Sequence, residues 1–62
     1  MNKDIVRIKE YIESHYAGEY AQGYVEELVA LDGRFAEGYF DMSDEEIAED
    51  FQLYVDNRNV DG

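Results

Sequence analysis

Ser43-Asp44-Glu45-Glu46-Ile47-Ala48-Glu49-Asp50-Phe51-Gln52-Leu53-Tyr54-Val55 carries the start signal, the buried face and the solvent face of one helix. Ser43 and Glu46 stand three apart, the spacing at which a hydroxyl and a carboxylate exchange hydrogen bonds with each other's backbone N–H. Met42 and Ile47 flank that box as a hydrophobic staple. Ile47, Phe51, Tyr54 and Val55 recur at helical spacing and predict an inward stripe three turns long. At 100° per residue, Glu45, Glu49 and Asp56 fall opposite that stripe and Glu46 and Asp50 on its flanks. Leu53 also falls toward the outer side, which predicts either a further packed element or a partner. Asn57 to Gly62 reads as a polar tail that frays.

Working back toward the N-terminus, Arg34 to Met42 has no single reading. Phe35 and Tyr39 are four apart, as in a helical turn, whereas Gly38-Tyr39-Phe40 could form a short strand; a short helix or turn is the expectation. Before it, Tyr20, Tyr24, Leu28 and Leu31 form a helical stripe with Val25 and Val29 beside it, and Asp32-Gly33 supplies the stop. Ile5, Ile8, Tyr11 and Ile12, flanked by Val6 and Tyr16, predict an amphipathic helix over 3–16, interrupted by Ala17-Gly18. The expected fold is therefore mainly α, a compact bundle of three or four short helices forming one domain over 1–62.

Charge divides the chain. Residues 1–18 are neutral, with Lys3, Arg7 and Lys9 against Asp4, Glu10 and Glu13, whereas residues 19–62 hold thirteen carboxylates against Arg34 and Arg58. The acidic part thus carries the whole net charge of −11. Lys and Arg are absent from residues 35 to 57, so no i,i+4 ion pair relieves the repulsion along the last helix. A solubilising surface normally mixes both signs.

Aromatic content of 15% and apolar content of 45% are too high for a solvated acidic tail, so a folded domain is expected. Sixty-two residues are few for one core, and a homodimer is one expected remedy. The absence of cysteine excludes disulfides, thiolate metal sites and thiol nucleophiles, and fits a reducing cytoplasm. No apolar run has the length of a signal peptide or a membrane span.

Catalysis is not expected. Ser14 and Ser43 lack a base, Ser43 already has a capping role, the five glycines are scattered, and paired carboxylates in so short a chain have little room for a water-excluding cleft. His15 is the single histidine, placed near a helix end, so no metal site is expected. Asn57-Arg58-Asn59-Val60-Asp61-Gly62 imitates the opening of a calcium loop but lacks its closing glutamate. Tyr11, Tyr20, Tyr24, Tyr39 and Tyr54 fall mostly on apolar stripes and read as core. No cofactor is implied, and a pI near 4.1 argues against direct binding of nucleic acid.

The acidic helix suggests one specific partner. Carboxylates three and four apart on a helix have Cβ atoms about 5–6 Å from each other, the same order of spacing as the axial rise of about 3.4 Å per phosphate on a DNA strand. Glu45, Glu46, Glu49 and Asp50, extended by Asp41, Asp44, Glu26, Glu27 and Glu37, could occupy a groove built for DNA.

Tyr20-Ala-Gln-Gly-Tyr-Val-Glu-Glu-Leu28 and Tyr39-Phe-Asp-Met-Ser-Asp-Glu-Glu-Ile-Ala-Glu-Asp-Phe-Gln-Leu53 resemble the C-terminal domain of the ArdA-type antirestriction proteins. The likeness covers roughly residues 20 to 56, and the neutral first helix has no counterpart. Members of that family are acidic DNA mimics of mobile elements that occupy the DNA groove of type I restriction enzymes. The resemblance implies that Asp41, Glu45, Glu46, Glu49 and Asp50 stand in for phosphates. In size and charge the chain is also similar to small phage anti-CRISPR proteins. A restriction or CRISPR effector complex in a bacterial cytoplasm is the partner so implied. The alternative is a non-enzymatic interaction or regulatory domain that docks through an apolar patch including Leu53.

Overall fold

A computed structural model describes residues 2–59 as three helices, α1 (Lys3–His15), α2 (Glu19–Ala30) and α3 (Asp44–Asn59), with no strand among the described residues. The expected mainly helical bundle is what forms. Residues 31–43 are turns and irregular backbone, so of the readings for 34–42 the turn is what forms, and neither a short helix nor a strand does. The third helix runs on through Asn59, so Asn57 to Asn59 are its last turn and not a frayed tail; residues 60–62 lie outside the described residues.

Each helix contributes one stripe to a common core. Ile5, Ile8 and Ile12 of α1 meet Ala21, Tyr24 and Leu28 of α2 and Ile47 and Phe51 of α3. All four isoleucines of α1 and α3, Ile5, Ile8, Ile12 and Ile47, are fully buried. Phe51 sits at the centre of an aromatic group, with Tyr16 at 4.4 Å and Tyr24 edge-on at 5.4 Å between ring centroids. The stripe of α2 is rotated from the one the sequence suggests: Ala21 is buried, whereas Tyr20 and Val29 are exposed. Tyr20 instead donates its hydroxyl proton to Asn59 Oδ1 at 2.6 Å, tying the start of α2 to the end of α3.

Gly23, inside α2, has a packing reason. A Cβ there would collide with the Tyr54 hydroxyl, so the missing side chain lets α3 lay an aromatic ring against the α2 backbone. Gly33 takes φ 83° just past α2, the left-handed stop expected of Asp32-Gly33.

The helix without a counterpart in the resemblance turns out to hold the irregular segment. Asn2 caps α1 by accepting from the Asp4 N–H at 2.8 Å, while its backbone N–H donates to Asp32 at 2.9 Å and its amide to the Phe35 carbonyl at 3.2 Å. Asp4 accepts from the Gly38 N–H, and Arg7 donates to the Met42 carbonyl at 2.7 Å. A segment with few hydrogen bonds of its own is thus satisfied by polar side chains at the start of α1. Among the described residues, every fully buried side-chain polar atom has a partner.

Candidate protein-interaction surface

The last helix starts as its sequence predicts. Ser43 N–H donates to the Glu46 carboxylate at 3.0 Å, and Glu46 N–H donates back to Ser43 Oγ at 3.2 Å. The Ser43 backbone N–H, followed by its side chain, holds the Glu46 carboxyl below the usual glutamate range. Glu46 is therefore part of the fold as well as of the surface.

The nine candidate carboxylates are all exposed, yet they separate into two sets. In the first, the carboxylate already has a partner inside the protein. Asp44 pairs with Arg7 at 2.7 Å and Glu27 with Arg58 at 3.3 Å. Glu46 closes the capping box, and Asp50 accepts the Tyr24 hydroxyl at 2.5 Å. Burial, with the Asp50 bond second, pushes the Tyr24 phenol well above its ordinary range.

The second set comprises Glu26, Glu37, Asp41, Glu45 and Glu49, which make no side-chain hydrogen bond or ion pair among the described residues. Of these, Glu45 and Glu49 share a face of α3 with Asp56, which accepts from Gln52 at 3.0 Å. Glu37 and Asp41 lie in the irregular segment and Glu26 on α2.

The outward position expected for Leu53 holds, and the apolar surface extends beyond it to Tyr39. Leu53 is 61% exposed and Tyr39 66%. Tyr39, expected in the core, stacks instead on Phe35 at 4.6 Å, because no helix fixes its direction in residues 34–42. Phe40 meets both rings edge-on and also lines a groove of about 410 Å³ between α2 and α3. The floor of that groove includes Tyr24 and Leu28, Leu53 stands on its wall, and Glu27 and Asp50 supply its acidic groups.

His15 is engaged locally: its Nδ1 lies 2.9 Å from the Tyr11 carbonyl oxygen and its ring stacks on Tyr11 at 4.1 Å. No group of three or more acidic or histidine side chains among the described residues is arranged to hold a metal ion. Asn57, Arg58 and Asn59, the start of the calcium-loop imitation, are helical. Among the described residues, no helix is long and apolar enough to cross a membrane.

Comparison of the chain with protein-family models, curated proteins and solved structures finds no match.

Proposed function

We propose that this protein is a non-catalytic acidic inhibitor that occupies the basic DNA-binding groove of a bacterial defence complex, presenting α3 in place of a DNA strand. The observation that carries the reading is the outer face of α3, where Glu45 and Glu49 are exposed and uncompensated in a stretch, residues 35 to 57, without Lys or Arg. Self-repulsion of this kind opposes folding, and an electropositive partner relieves it. Sixteen residues of helix extend about 24 Å, and the whole molecule is 35 Å long, close to the span of about ten base pairs.

Binding is competitive with DNA. Carboxylates displace the counterions that screen the groove, so affinity falls steeply as salt rises. The restriction or CRISPR character of the target comes from the sequence resemblance alone.

The test separates folding from recognition. Glu45, Glu49 and Asp56 are changed together to Lys, leaving the capping box and the Tyr24–Asp50 bond in place. Phage plating efficiency is then measured on bacteria carrying a panel of restriction and CRISPR systems. Wild-type protein should rescue phage on at least one strain, and the reversed variant, still helical by circular dichroism, should not. Equal rescue by the folded variant would sink the reading.

A further inference from the structure

Leu53 is an apolar side chain set within an acidic ring. On the surface of α3 its neighbours at three and four residues are Glu49, Asp50, Asp56 and Asn57. Beside it opens the α2–α3 groove, whose volume of about 410 Å³ falls in the range of ligand clefts, about 300–1,000 Å³. Through Phe40 the apolar surface continues to the exposed Tyr39. An apolar centre rimmed by charged groups is the anatomy of a binding hot spot.

We propose that this groove seats an amphipathic helical segment of the basic partner, with an apolar residue of the segment packing against Leu53 and Phe40 and its flanking Lys or Arg meeting Glu49, Asp50 and Asp56. Charge complementarity selects this occupant. A second copy of the chain would bring another net charge of −11 to the same rim, opposing like charges across the interface. A purely polar cationic surface would leave Leu53 in water. The inference rests on the proposed function in one respect, that the partner is basic. It adds that recognition has an apolar anchor, which a phosphate backbone does not offer.

Two synthetic helical peptides test it on the full chain. One carries Leu at i, i+3, i+4 and i+7 with Lys elsewhere; in the other, Gln replaces each Leu at the same net charge. Affinities are read by fluorescence anisotropy, and the contact surface by backbone amide shifts. Wild type should bind the Leu peptide at least about tenfold more tightly than the Gln peptide, with shifts at Leu28, Phe40 and Leu53. The Leu53→Ser variant should lose that preference and bind both peptides alike, while Leu53→Met keeps it.

Equal binding of both peptides by wild type overturns the groove and leaves the charge-based function standing. A Leu-peptide affinity that molar salt leaves unchanged, and that the Glu45, Glu49, Asp56→Lys variant shares, upholds the apolar anchor but overturns the charged rim together with the charge-based function. Sedimentation equilibrium showing a wild-type dimer that Leu53→Ser dissociates assigns the groove to a second copy and overturns the proposal.

Discussion

The first and last helices begin alike and use their polar residues in opposite ways. Each starts from a side-chain cap, Asn2 in one and Ser43 in the other, and each buries isoleucine at its inner face. In α1, however, Asn2, Asp4 and Arg7 turn toward the protein and hold residues 32–44, whereas in α3 Glu45 and Glu49 face water. The contrast shows that the sign of a charge does not mark a functional residue. Asp44 and Glu45 are adjacent and identical in charge, yet one is paired with Arg7 and the other is available to a partner.

The sharpest way to test this division is to remove apolar atoms on each side of it. Ile8, 1% exposed, becomes Ala at a loss of about 2–5 kcal/mol. A core of this size supplies only about 3–5 kcal/mol in total, so Ile8→Ala should be largely unfolded by circular dichroism at room temperature. Leu53→Ala should stay within about 0.5 kcal/mol of wild type in urea denaturation. A comparable loss at Leu53 would mean that it supports the fold.

The next effect concerns the polar staple of α1. Asn2→Ala removes the cap and the donor to the Phe35 carbonyl together, and should lower stability by about 2 kcal/mol. Asn2→Asp keeps the cap and loses only that donor, so its urea midpoint should fall between the two. If Asn2→Ala leaves the midpoint unchanged, the irregular segment is held by its aromatic residues instead.

The smallest effect is a matter of pH. Because the Glu46 carboxyl titrates lower in the folded protein than in the unfolded chain, its contribution is present above the unfolded value and is lost as pH falls through the folded one. Glu46→Gln should therefore lose less stability than wild type between about pH 5 and pH 3. Parallel acid limbs for the two proteins would show that the capping box does not sense pH.

Much of this architecture is legible in local sequence. The capping box at Ser43, the isoleucine stripe of α1 and the stop at Gly33 each depend on residues within one or two helical turns, where spacing alone fixes geometry. The exposed position of Leu53 follows from the same periodicity. The end of α3 departs from the expected frayed tail because Asn57 and Asn59 are weak helix formers locally, whereas Tyr20 reaching Asn59 across 39 positions holds that last turn.

Three amphipathic segments, the uneven distribution of charge and an outer face of α3 without cations are all present in the order of residues along the chain. Which carboxylates are already paired, the hold of α1 on the 32–44 segment, and the meeting of Leu53 and Phe40 in one groove emerge with packing. The physical reason is range. Helical periodicity acts over about four residues, whereas the pairings Arg7 to Asp44, Tyr24 to Asp50 and Glu27 to Arg58 join positions more than twenty apart, and only packing of the apolar stripes brings them together.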